Sequence, residues 1–230
     1  MGNKNLFEFK GVSRENQVEQ TVFFCGEKGG SPRIMFIGNS VTLHAPLESI
    51  GWYGNWGMAA SSLEKDYVHV FINGMINQYP NAEFCIVQAS CWERNYKDCN
   101  YEADFSMAMD FKPDIIICSI SANIHEEEFE HDAFKINLKK LHDYLSCKNT
   151  KIIESSVLFG SEKKNKAILE YVAENEKVYL ADVTDILQDE KNRAIGLFAH
   201  EGIQAHPGDS GMKLIAERFL DKFKEIMEEH

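Results

Sequence analysis

Two rhythms of apolar residues run through the chain from residue 33 onward. One consists of short, nearly unbroken runs: "RIMFI", "EFCIVQ", "DIIICSI", "KIIESSV" and "KVYLAD". Runs of this kind read as strands covered on both faces. The other rhythm has helical spacing. In "LEKDYVHVFINGMINQY", Val68, Phe71, Ile72, Met75 and Ile76 share one face. In "DAFKINLKKLHDYL", Phe134, Leu138, Leu141 and Leu145 do the same, and beyond Asp209 the stripe is Met212, Ile215, Phe219, Phe223 and Ile226. Buried strands alternating with amphipathic helices predict a parallel sheet joined by right-handed crossovers. The expected fold is α/β, a three-layer α/β/α sandwich on about five parallel strands.

The first 32 residues follow a different pattern. "LFEFKGV" and "QTVFF" resemble two short strands, and "CGEKGGSP" reads as a glycine-rich turn. Residues 1–32 are therefore expected to form an N-terminal β-hairpin or edge extension, and residues 33–230 the main domain. Neither an internal repeat nor a low-complexity linker divides the chain.

Composition narrows the classes of function. Hydrophobic residues make up 44% and charged residues 26%, enough apolar material for an ordinary core. Thirty-six acidic against 24 basic residues give a formal charge of -12, which argues against nucleic-acid or anionic-membrane partners. No apolar run reaches bilayer-spanning length. The opening "MGNKNLFEFKG" lacks the layout of a secretory signal, and Leu6 stands where a myristoylation signal has Ser or Thr. A cytoplasmic location is the expectation. The cysteines are Cys25, Cys85, Cys91, Cys99, Cys118 and Cys147, with no C-x-x-C pair. Most read as reduced, buried small hydrophobes, and metal binding is not expected.

Candidate chemistry gathers where strands end. In "RIMFIGNSVTLHAP", Ser40 follows the first main strand, on the rim where ligands bind in such sheets. A serine there is commonly only a helix N-cap. Two other residues change the weighting. His206, in "EGIQAHPGDSGM", precedes the last helix and is expected on the same rim, and a serine nucleophile needs a nearby base. Asn123, in "CSISANIHEE", follows the third main strand, and its amide could donate to an oxyanion or merely close an Asx-turn.

These three blocks, in this order, resemble the SGNH or GDSL-like hydrolases. "FIGNSVT" corresponds to the first block, with Asn39 where aspartate is more frequent; Asn123 corresponds to the asparagine block and "HPGDSGM" to the histidine block. The resemblance spans about residues 33–228. It implies a flavodoxin-like sandwich, Ser40 as nucleophile, His206 as base, and Asn123 with the Ser40 N–H as oxyanion donors. The elbow G-x-S-x-G fails at Thr42.

Two positions depart from that pattern. Ile203 stands where the family has an acid three residues before the histidine, leaving Glu201 or a main-chain carbonyl to orient His206. The glycine donor after the second main strand is replaced within "VQASCWERN", where backbone near Cys91 or Trp92 is the substitute. Trp92 and Arg94 are substrate-binding candidates, Arg94 either binding a substrate carboxylate or pairing with a neighbouring acid. Trp52, Tyr53 and Trp56 either face a sugar or acyl group or pack down their own loop. The acidic run "HEEEFEHD" reads as a solvated helix start.

The function expected from these residues is a serine esterase acting on small O-acyl esters, with acetylated carbohydrate as one option, through a Ser-His dyad or triad. It calls for no cofactor or metal. The partner is a small-molecule ester, with no nucleic acid and no membrane. The competing readings are a non-catalytic ligand-binding protein on the same sandwich, and a thioesterase or lysophospholipase using the same trio.

Overall fold

The computed structural model describes residues 21–228. One sheet holds β1 (Val22–Gly26), β2 (Arg33–Gly38), β3 (Glu83–Gln88), β4 (Ile115–Ser119), β5 (Lys151–Ser155) and β6 (Val178–Ala181). Their spatial order is β1-β3-β2-β4-β5-β6. Strands β2 to β6 are mutually parallel, as the five apolar runs predict, and β1 adds an antiparallel edge against β3. The "QTVFF" segment contributes to β1; "LFEFKGV" lies outside the described residues.

The helices are α1 (Tyr67–Met75), α2 (Ser90–Arg94), α3 (Tyr101–Met109), α4 (His131–Leu145), α5 (Glu162–Ala173), α6 (Glu201–Gln204) and α7 (Asp209–Glu228). Strand alternation sorts side chains onto two faces. From β2, Ile34 and Phe36 enter a layer with Phe71 of α1 and Phe219 of α7. Met35 and Ile37 point the other way, toward Phe105 of α3, Phe134 and Leu138 of α4, and Ile168 of α5. Both faces of the central strand are thereby desolvated, at about 1.5–3 kcal/mol for each large apolar side chain. The chain is a three-layer α/β/α sandwich.

Topology fixes where a site can form. After β2 the chain crosses to β3 on one side, then returns to β4 on the other. The strand order switches at β2, which opens a crevice beyond its carboxyl end. Register aligns the three strand ends, because Gly38 of β2 pairs with Gln88 of β3 and with Ser119 of β4. The segments that carry Ser40, Ser90 and Asn123 therefore leave the sheet at one level.

No disulfide links the six cysteines. Cys25, Cys85 and Cys118 are buried, as expected of small hydrophobes, but Cys91 and Cys147 are exposed and Cys99 is half-buried. The acidic run at 125–130 lies in the turns before α4 and is largely exposed. Among the described residues no helix is long and apolar enough to cross a membrane.

Candidate active site

A glycine is required at the end of β2. A Cβ on Gly38 would sit 1.8 Å from the Thr42 hydroxyl and 3.0 Å from the Ser119 carbonyl. Without it the chain folds back tightly: the Thr42 and Leu43 N–H groups both bond to the Asn39 carbonyl, and the Asn39 side-chain oxygen accepts from the Val41 N–H. This Asx-type turn holds Ser40 half-buried at the crevice. The N–H of Ser40 has no intramolecular partner among the described residues.

The histidine reaches it from the far end of the chain. Ser40 Oγ lies 2.7 Å from His206 Nε2. His206 Nδ1 lies 2.7 Å from the Gly202 carbonyl oxygen. A carbonyl only accepts, so Nδ1 carries the proton and Nε2 presents its lone pair to the Ser40 hydroxyl. The loop is pinned by the Ala194 N–H on the His206 carbonyl at 2.9 Å. Burial, reinforced by nearby His44, pulls the His206 pKa below its ordinary 6.5, while the Gly202 hydrogen bond opposes the shift. Catalysis through neutral His206 predicts that the acidic limb of kcat/KM falls below pH 6.5. A limb well above that value in a pH–rate profile would contradict the assignment.

Glu201 does not orient the ring. It is exposed on the first turn of α6, and the Gly202 carbonyl occupies the position an acid would take. Ile203, at the family's acid position, is instead fully buried with Trp52, Met58, Ala59 and Ala194. Glu201→Gln is accordingly expected to leave kcat/KM within about twofold, as for surface substitutions generally. A tenfold loss in steady-state assays would restore Glu201 to the site.

Asn123 lies on the same hollow, held by a residue the sequence reading passed over. Glu93 of α2 is only 1% exposed. One carboxylate oxygen accepts from the Asn39 amide at 3.0 Å, and the other accepts from the Asn123 amide. Backbone N–H groups of Asn123 and Ser121 also stabilise this carboxylate, yet desolvation dominates and raises its pKa. Ser121 is buried with φ 100, a conformation costly for a non-glycine residue. On the other side of the turn the Lys164 ammonium of α5 donates to the Ile124 carbonyl at 2.5 Å. Asn123 thus engages Glu93 through its amide nitrogen while lining the crevice.

The pairing also accounts for Asn39 in the first block. A carboxylate there would face the buried Glu93 acceptor to acceptor, whereas the amide supplies the missing donor.

A cavity of about 230 Å³ joins these groups, lined by Ser40, Asn123 and His206 together with His44, Arg94 and Met58. Arg94 reaches this rim as expected. Trp92 does not: its side chain is 0% exposed, packed against Tyr96 and Phe134 on the opposite side of α2. A five-residue helix cannot turn neighbouring side chains to the same face, so Arg94 outward places Trp92 inward. The second-block backbone is partly committed, since the Ser90 N–H donates to the Gln88 side-chain oxygen at 2.9 Å.

The aromatic loop is packed on itself. Trp52 and Trp56 stack edge to face at 5.7 Å, and their indole N–H groups donate to the carbonyls of His44 and Ala60. Tyr53 is 72% exposed and contributes nothing to the cavity wall. What the loop supplies is support: the Met58 N–H donates to the Ser40 carbonyl at 2.8 Å.

The sequence matches no family model and no curated protein. The fold has solved counterparts. A family two carbohydrate esterase from Cellvibrio japonicus superposes with a TM-score of 0.55 at 16% identity, over 86% of this chain and 62% of that one. A two-domain esterase active on acetylated mannans gives 0.51 at 16%, over 84% and 49%. A G-D-S-L family lipolytic protein from Desulfitobacterium hafniense gives 0.51 at 18%, over 83% and 99%. The chain thus spans less than two thirds of the two carbohydrate-active esterases and nearly all of the third. Together with the topology and the order of the three blocks, these likenesses assign the chain the SGNH/GDSL-like hydrolase fold.

Proposed function

We propose that this protein is a serine esterase that removes a short acyl group from a polar alcohol. The observation that carries the reading is the 2.7 Å contact between Ser40 Oγ and His206 Nε2, with Asn123 on the same hollow. In the acylation step Ser40 Oγ bonds to the ester carbonyl carbon as its proton passes to His206 Nε2. The carbonyl oxygen becomes an oxyanion facing the second Asn123 amide hydrogen and the Ser40 N–H. Collapse breaks the ester C–O bond, and the imidazolium returns its proton to the departing alcohol. Water then repeats the sequence against the acyl-enzyme, releasing the acid.

The Gly202 carbonyl makes this a dyad. Its dipole holds the ring tautomer and stabilises the imidazolium less than a carboxylate does. The substrate class follows from the cavity. At about 230 Å³ it falls below the ~300–1,000 Å³ of drug-sized ligand pockets, which favours acetyl over long acyl chains. The polar side chains in its mixed wall, His44, Gln88, Ser90 and Arg94, suit a hydroxyl-rich alcohol such as a carbohydrate. The likeness to esterases active on carbohydrate esters supports the same choice.

A fluorophosphonate probe tests the nucleophile. The expected adduct is on the peptide containing Ser40. Folded protein that stays unlabelled would favour the non-catalytic binding reading. A series of p-nitrophenyl esters of rising chain length then separates short-acyl specificity from thioesterase or lysophospholipase behaviour: kcat/KM is expected to fall steeply beyond acetate and propionate.

A further inference from the structure

A second cluster of reactive groups lies away from the crevice, sealed between the sheet and the α4–α5 layer. Cys118 comes from β4, His142 from α4 and Glu154 from β5, and all three are buried. One thiol, one imidazole nitrogen and one carboxylate oxygen lie within 4.8 Å of one another. Glu154 is 0% exposed; its carboxylate lies against the His142 ring and the Cys118 thiol, but neither oxygen makes a hydrogen bond of good geometry, nor does His142 Nε2. Buried polar atoms are almost always well satisfied, so three poorly satisfied atoms converging on one point suit a common partner.

We propose that Cys118, His142 and Glu154 form a binding site for a thiophilic divalent metal ion such as Zn²⁺. The spacing fits. His142 Nε2 and Glu154 Oε2 are 3.3 Å apart, poorly placed for a hydrogen bond to each other. Zinc–nitrogen and zinc–oxygen bonds of about 2.0–2.2 Å at a tetrahedral angle hold such ligands about 3.3–3.5 Å apart. The mixed sulfur, nitrogen and oxygen donor set suits zinc and disfavours magnesium or calcium.

The surroundings also serve a metal. His142 Nδ1 lies 2.8 Å from the Tyr171 hydroxyl; with Nδ1–H donating there, the Nε2 lone pair faces the other two ligands. Tyr171 in turn borders a surface groove of about 520 Å³ between α4 and α5. Metal entry displaces a proton: the Cys118 S–H bond breaks, the sulfur bonds to the ion as thiolate, and the proton leaves to solvent. Three protein ligands leave one tetrahedral position open. The linear sequence conceals the site because its ligands sit on three separate elements, with none of the close spacing of a zinc motif.

The test uses the full chain carrying Cys91→Ser and Cys147→Ser, which removes the exposed thiols, stripped of metal by a chelator and titrated with Co²⁺. Expected are saturation at one equivalent, a thiolate-to-cobalt charge-transfer absorption, its loss on adding Zn²⁺, and a Tm raised by either ion. Cys118→Ala should abolish the absorption and the Tm rise together. Glu154→Gln, which preserves shape and thiol, should weaken binding by roughly tenfold or more. Absence of the absorption in the parent, or its survival in Cys118→Ala, overturns the proposal. Should Cys118→Ala not fold, unchanged Co²⁺ affinity in Glu154→Gln overturns it equally. None of these readouts involves ester hydrolysis, so they stand apart from the fate of Ser40.

Discussion

Ser40→Ala is expected to lower kcat on p-nitrophenyl acetate by at least about 10⁴-fold while leaving the thermal melt nearly unchanged. Removing a nucleophile that works as a unit with its base abolishes covalent catalysis, and what survives is the contribution of the oxyanion donors and of binding. The fold should tolerate the change. Ser40 is half-buried, its Oγ bonds to His206 alone, and the turn is held by Asn39 and the Met58–Ser40 backbone contact. A steady-state assay with active-site titration checks it. Turnover comparable to wild type would remove Ser40 from the mechanism, and with it the acyl-transfer scheme.

Glu93→Ala is expected to cost about 3–5 kcal/mol of stability, because several buried donors lose their acceptor at about 1–3 kcal/mol each. Two buried amides, those of Asn39 and Asn123, would lose a charge-assisted acceptor, and two backbone N–H groups would lose it as well. Glu93→Gln separates packing from chemistry. It fills the same volume, but its amide offers one acceptor oxygen where two side-chain donors converge, so one of Asn39 and Asn123 must move. The expected result is a folded enzyme with kcat reduced about 10²-fold and KM little changed, because a misplaced oxyanion donor hurts the transition state selectively. Denaturant melts and steady-state kinetics on both variants check this. Wild-type kcat in folded Glu93→Gln would show that Asn123 needs no such anchor.

The two variants also expose a difference in what the sequence makes legible. Ser40, His206 and Asn123 can be found by reading, because each follows an apolar run or precedes an amphipathic helix, and their order along the chain is itself a pattern. Glu93 cannot. It lies in "CWERN", where a charged residue between an aromatic and an arginine looks like a solvated face. Its burial depends on β3 ending level with β2 and β4, which turns that side of α2 inward beneath both asparagine turns.

Hydrophobic periodicity alone determined the five parallel strands, the helices α1, α4 and α7, and the rim on which Ser40 sits, because burying a face is a local demand that each segment states for itself. Tertiary structure decided the rest. It set the Gly202 carbonyl rather than Glu201 against the His206 ring, put Trp92 in the core and Arg94 at the cavity, and closed Trp52 and Trp56 upon one another. A side chain's partners are chosen by the packing of segments distant along the chain, and the alternation of apolar and polar positions records which face is buried without recording what it is buried against.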